Sequence, residues 1–323
     1  MRNAASNAMA CQEYPNPSWT TTGLLQRRNW RLVLDAEVID EFLGQERTQS
    51  SLSHDSALSD FRPVDSPCRA RFAKSLRQQL LHGDGVAWIE GGGSSGMSKD
   101  EMRAFFLSLG ASMGRVMTEY GDLYSVSDRG VDYTREAAPI SMTSAATGMH
   151  TDSSAIDSLP DIVGLLCEEP SLNGGDSLIS NATNAYCQLQ LSAPGIAEIL
   201  EENFVRDLVT PGTDKDPSKL LKNTFPIFSS GRGGRGISFR YMRYWIEKGQ
   251  ERSGKPLGAQ HLRALDRLDE VLASPKNQLR LRLSRGDILW VNNRTLAHGR
   301  ESYLDTPGNR RQLQRLWIDV PEE

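Results

Sequence analysis

The sequence predicts a mainly β chain with flanking helices, an α+β architecture around a jelly-roll (cupin-like) or double-stranded β-helix core. Three observations carry that expectation. C-terminal to Leu109 the chain breaks into short apolar runs bounded by Gly, Pro, Asn or Asp: LYSVSD, the stretch around His150, DIVGLLCEE, DSLISN, GISFRYM, QLRLRLSRGDILWVNN and RRQLQRLWIDV. One of them, Leu279-Arg280-Leu281-Arg282-Leu283, alternates strictly, as a strand with one buried face does. The regular strand–helix alternation of a parallel α/β sheet is missing from the C-terminal half.

The elements follow in order. With 323 residues the chain can form one large domain or two ordinary ones. Residues 1–67 are polar and rich in Ser, Asn, Asp and Pro, and predict a partly ordered arm with a strand and short helix in RLVLDAEVIDEFL. Residues 68–323 predict a single domain. Phe72, Leu76 and Leu80 recur at helical spacing, Gly83-Asp84-Gly85 breaks the helix, and Val86-Ala87-Trp88-Ile89 forms a strand. After a GGGSSG loop, Ser98 and Glu101 form a capping box ahead of a helix with Met102, Phe105, Phe106 and Leu109 on its buried stripe. Two helical inserts interrupt the β region, NATNAYCQLQLSAPGIAEILEE and PLGAQHLRALDRLDEVLAS. The polar, glycine-containing stretch 207–236 predicts a lid. The run from Phe239 to Trp245 reads as a strand with Arg240 and Met242 on one face and Tyr241 and Arg243 on the other. One of these faces is a candidate substrate wall, which makes Arg240 and Tyr241 candidate substrate residues.

Composition excludes several functions. The net charge is −4 and no long basic block occurs, so nucleic acid is not expected as a partner. No apolar run reaches the length of a membrane span, and the N-terminus carries no secretory apolar region. Cys11, Cys68, Cys167 and Cys187 show no CxxC spacing and are expected to be reduced thiols in a cytoplasmic protein. The expected partner is a small molecule.

The chain has five histidines, and two stand in contexts that suit a metal. His150-Thr151-Asp152 presents an imidazole and a carboxylate two residues apart, on one face if the segment is a strand. His298, far along the chain, follows RGDILWVNN and precedes an arginine-containing strand. Two histidines and one carboxylate make the facial triad of non-haem Fe(II), which leaves positions open for a cosubstrate and O2. 2-Oxoglutarate chelates such an iron and must then hold its far carboxylate inside an apolar barrel. A buried carboxylate needs a partner, and the planar fork of an arginine supplies one. Arg311, on the strand near His298, is a suitable source.

These residues resemble the taurine dioxygenase, clavaminate synthase and γ-butyrobetaine hydroxylase group of Fe(II)/2-oxoglutarate oxygenases. The resemblance rests on His150-Thr151-Asp152, LLCEEPSLNGGDSLIS, NNRTLAHGRESY and RRQLQRLWID, and spans roughly residues 69–320. It implies that His150, Asp152 and His298 bind iron and that Arg311 pairs with the far carboxylate of 2-oxoglutarate. It implies that Ser177 supports that carboxylate, where the group often has threonine, and that Arg315 meets an anionic group of the substrate. The activity implied is hydroxylation, desaturation or ring closure at an unactivated C–H bond of a small carboxylate-bearing metabolite, such as an amino acid or a natural-product intermediate. 2-Oxoglutarate is then converted to succinate and CO2. The carboxylate of Asp152 argues against the related halogenases, which lack it.

Two other functions fit parts of the sequence. Gly92-Gly93-Ser94-Ser95-Gly96 matches the G-x-S-x-G elbow of a serine hydrolase, with Asp152 and His298 following in that order. A non-catalytic β-barrel that binds a metal or ligand would carry the same pattern.

Overall fold

Two β-sheets and the helices on their outer faces organise the chain. The computed structural model describes residues 18–34, 38, 67–91, 96–118, 123–131, 140–155, 159–207, 217–231 and 236–321. The larger sheet runs Arg31–Val33, Val86–Glu90, Ile288–Asn292, Ile162–Glu169, Gln312–Asp319 and Arg115–Val116, with Tyr124–Val126 also paired to Gln312–Asp319. The smaller sheet runs Gln278–Leu281, Ser177–Asn181, Leu296–Arg300 and Thr147–His150. Every pairing in these sheets is antiparallel except that of Arg31–Val33 with Val86–Glu90.

The period-two pattern of the sequence decides which side chains fill which layer. Val163 and Cys167, Leu289 and Val291, and Leu313 and Trp317 point from the larger sheet into one cluster with Ile179, Leu279, Leu281 and Leu296 of the smaller sheet. Alternate positions, Ile162, Leu166, Ile288, Trp290, Leu316 and Ile318, pack against the helices Pro67–Leu81 and Lys99–Met113. Ser98 caps the second helix: its hydroxyl accepts from Glu101 N, and Glu101 Oε2 accepts from Ser98 N. A third cluster covers the other face of the smaller sheet with Ala182–Ser192, Pro194–Leu200 and Ala259–Ala273. The core that matters for function therefore lies between the two sheets.

The described part of the N-terminal arm is built into this body. Thr20 caps the short helix Thr21–Leu25. Trp19 and Trp30 are buried and donate through Nε1 to Asp84 O and Leu24 O. In the stretch 207–236, residues 208–216 and 232–235 lie outside the described residues. The remainder includes the helix Pro217–Lys222 and two strands, Thr224–Phe225 and Phe228–Ser230. Among the described residues no helix is long and apolar enough to cross a membrane.

Two expectations need correction. Cys187 is disulfide-bonded, whereas Cys167 is a buried free thiol. Spacing along the chain tests for CxxC sites but says nothing about which distant sulfurs meet in space. The run from Phe239 to Trp245 is not one strand. Strand Ile237–Phe239 ends there, Met242 takes the N-cap, and a helix runs from Arg243 to Arg252. Its aromatic residues favour strands in general, but here packing against neighbours decides the conformation.

Gly164 shows how tightly the helix-side layer is filled. A Cβ at this position would lie 2.3 Å from Trp290 Cζ3 and 2.8 Å from Phe106 Cε2. Gly164→Ala is therefore expected to destabilise the protein by about 1–3 kcal/mol through overpacking. Denaturant unfolding checks this, as a lower midpoint at unchanged slope.

Candidate active site

The site begins with strand register. Thr147–His150 is the edge strand of the smaller sheet, and antiparallel pairing sets His150 directly opposite His298 on Leu296–Arg300. The two rings lie 4.5 Å apart, centroid to centroid. The ladder slips by one residue between these histidines and the pair Arg300–Thr147, which marks a bulge in the edge strand. Within that irregular stretch Gly148 O accepts from His150 Nδ1 at 2.8 Å. A carbonyl can only accept, so the proton sits on Nδ1 and the Nε2 lone pair is free for a metal.

Asp152 reaches the same point by a different route from the one its spacing predicts. The strand ends at His150, and Asp152 lies in the turn that follows, next to Ser153 with φ +58°. Asn293 fixes this turn. Its Oδ1 accepts from Asp152 N at 2.8 Å, and its Nδ2 donates to Asp152 O and Pro160 O, both at 3.1 Å. Trp317 Nε1 then donates to Asp152 Oδ2 at 2.7 Å, and Arg315 Nη1 lies 3.2 Å from the same oxygen. Oδ2 is thus occupied. Oδ1 faces His150 Nε2 and His298 Nε2, each at 3.6 Å. The ligand atoms of all three residues lie within 4.8 Å of one another.

The electrostatics match this donor set to a divalent metal. Burial pushes the Asp152 carboxyl up, but the Arg315 guanidinium and the contacts from His150 and His298 outweigh it. They hold the group well below the usual carboxylate range. Burial, with the neighbouring His150, holds His298 below the ordinary imidazole value. An ionised carboxylate and a neutral imidazole are the forms that bind metal.

The triad opens onto a cavity of about 880 Å³ that also reaches Ser177, Arg311 and Arg315. Arg311 precedes the strand Gln312–Asp319 rather than lying within it, and is 4% exposed. Its Nη2 donates to Gly175 O at 3.3 Å, whereas Nη1 is buried without a hydrogen-bond partner. Burial holds its pKa below the ordinary arginine value. A buried guanidinium with an unused donor suits a carboxylate ligand. Ser177 is the buried first residue of its strand on the same cavity wall. Arg315 lies on the same strand face as Leu313 and Trp317, with its guanidinium 4.7 Å from the ring centroids of both Tyr124 and Trp317.

The structure does not bring Arg240 and Tyr241 to this cavity. Arg240 stacks over Phe225 at 4.0 Å, and Tyr241 is fully buried with its hydroxyl donating to Asp269 Oδ1 at 2.8 Å. The helix that begins at Arg243 presents Met242, Arg243, Tyr244 and Trp245 instead. None of the described residues in 207–236 lines the cavity. Ser94 lies outside the described residues. Sequence reasoning also missed Asn293 and Trp317. Both stand inside quoted motifs, but nothing in the spacing shows that they hold Asp152.

Comparison with known proteins agrees with this geometry. The model of the family described as "Taurine catabolism dioxygenase TauD, TfdA family" matches residues 60–317. FR-33289 synthase of Streptomyces rubellomurinus is 24% identical over 311 residues, 94% of this chain and 88% of that protein. Uridine-5'-phosphate dioxygenase of an Amycolatopsis species is 31% identical over 175 residues, 51% of this chain and 60% of that protein. Among solved structures, the non-heme iron oxygenase OrfP with (3S)-hydroxy-L-Arg shares the fold at TM-score 0.65 and 17% identity, covering 90% of this chain and 94% of that one. Asparagine oxygenase with Fe(II), hydroxyasparagine and succinate shares it at TM-score 0.61 and 18% identity, covering 90% and 93%. The chain belongs to the TauD/TfdA dioxygenase family and is an iron- and 2-oxoglutarate-dependent oxidoreductase.

Proposed function

We propose that this dioxygenase hydroxylates an unactivated C–H bond of a small carboxylate-bearing metabolite, such as an amino acid or a natural-product intermediate. The observation that carries the reading is the convergence of His150, Asp152 and His298 on one point inside a cavity with a buried, unsatisfied arginine. In this reading the three side chains hold Fe(II), and Arg311 and Ser177 hold the far carboxylate of 2-oxoglutarate. The two sheets constitute a double-stranded β-helix with the iron site between them. Iron with 2-oxoglutarate and O2 supplies the oxidising power for C–H cleavage, with succinate and CO2 as coproducts.

The protein's own contribution is positional. Gly148 fixes the tautomer of His150, and Asn293 and Trp317 aim Oδ1 of Asp152 at the metal position. Leu165, Leu313 and Trp317 give the cavity apolar walls that keep water from the reacting carbon. Arg315 bridges Asp152 and the open cavity, and there it takes the acidic group of the substrate. The cavity volume suits one small molecule beside the cosubstrate. The relatives' names, with uridine 5'-phosphate and asparagine among their substrates, also point to small molecules with an acidic group. The hydrolase use of Asp152 and His298 is displaced by family membership.

Succinate formation with Fe(II), 2-oxoglutarate and a panel of amino acids tests the activity. Asp152→Ala and His298→Ala are each expected to abolish it and to remove tight metal binding while leaving the circular-dichroism spectrum unchanged. Retained stoichiometric metal binding in both variants would contradict the ligand assignment. Trp317→Phe deletes the indole donor to Asp152 Oδ2 and keeps an aromatic ring at the position. It is expected to weaken metal affinity about 10–100-fold, measured by equilibrium metal titration. An unchanged affinity would show that Asn293 and Arg315 suffice to orient the carboxylate.

A further inference from the structure

A second buried arginine stands beside the residues assigned to the cosubstrate. Arg300 lies two positions beyond His298 on the same strand, so both side chains face the space between the sheets. It lines the cavity and is 6% exposed. The register sets it directly opposite Ser177, and such cross-strand partners have Cβ atoms about 4.5–5.5 Å apart. Arg300 and Arg311 lie over the same ring, 4.8 and 5.1 Å from the Tyr303 centroid.

Asp128 and Asp305 act on these two arginines from a distance, but neither arginine has a carboxylate bound directly to its guanidinium among the described residues. Arg300 Nη2 donates to Thr143 O and Ala145 O, which orient the guanidinium but are neutral. Its Nε and Nη1 of Arg311 are buried without hydrogen-bond partners. Among the described residues neither guanidinium forms an ion pair with a carboxylate. Two adjacent buried cations without an anion are an unfavourable arrangement that one bound anion relieves. A carboxylate has two oxygens and about four acceptor positions, enough for two guanidiniums and a hydroxyl.

We infer that Arg300 is a second guanidinium of the pocket for the far carboxylate of 2-oxoglutarate, acting with Arg311 and Ser177. The inference rests on the proposed assignment of that pocket. The same Arg300 side chain tethers the segment after the turn Ile140–Met142, and that turn lines the cavity too.

Isothermal titration of the Mn(II)-loaded protein with 2-oxoglutarate and with 2-oxopentanoate tests it. 2-Oxopentanoate keeps the chelating head and lacks the far carboxylate. Wild type is expected to prefer 2-oxoglutarate. Arg300→Gln should weaken 2-oxoglutarate binding about tenfold and change 2-oxopentanoate binding by less than about twofold. Arg300→Lys should recover part of the loss, because it restores the charge without the fork; if Arg300→Gln does not fold, Arg300→Lys decides through the same selective loss. The inference is overturned if Arg300 variants weaken both ligands equally or neither, while Arg311→Gln still erases the preference. A wild-type protein with no preference would overturn the pocket itself, and the role of Arg300 with it.

Discussion

The antiparallel register between Thr147–His150 and Leu296–Arg300 is the constraint on which the rest depends. It sets His150 against His298 across one ladder, on the face that looks between the sheets. Side chains alternate faces along a strand, so a slip of one residue would turn either imidazole away from the other. The bulge beside them gives the local freedom that lets Gly148 O meet the His150 ring. Gly299 belongs to the same arrangement. A Cβ there would lie 3.0 Å from Thr147 O and 3.2 Å from Gly148 O, so the edge strand would have to give by a few tenths of an ångström. The carboxylate of the proposed triad comes from a turn, where Asn293 and Trp317 hold it in place of a ladder.

Charge is the second theme. The interior between the sheets holds Asp152, Arg300, Arg311 and Arg315, all close to fully buried or facing the cavity. Arg315 is matched to Asp152, whereas Arg300 and Arg311 have only neutral partners among the described residues. Burying unmatched charge is costly, and proteins tolerate it where a ligand completes the pairing. In the proposed assignment a dianionic cosubstrate, with one carboxylate at the metal and one at the arginines, would supply the matching charge. His150, Asp152 and His298 and these arginines line one cavity.

Much of this was legible in the sequence because the chemistry is carried by rare residues. Two of five histidines, one with an aspartate two positions on, marked the triad. Alternation in QLRLRL and the apolar run DIVGLLCEE marked strands whose layers follow period two. The capping box at Ser98 and Glu101 located its helix. Other features were not legible, for physical reasons. Arg240 and Tyr241 sit in an aromatic run that fits either a strand or a helix start, and only packing set the strand's end at Phe239 and the helix's start at Arg243. The turn at Asp152, the latch from Asn293 and the pairing of Arg300 with Ser177 depend on which distant segments become neighbours. No local pattern encodes that. Cys187 likewise meets its partner only through the fold.

Anomalous diffraction at the iron edge, from crystals grown anaerobically with Fe(II) and 2-oxoglutarate, tests the central claim most directly. A single peak in contact with His150 Nε2, Asp152 Oδ1 and His298 Nε2 is the predicted result. A peak elsewhere, or one that leaves any of these three atoms out of contact, would contradict it.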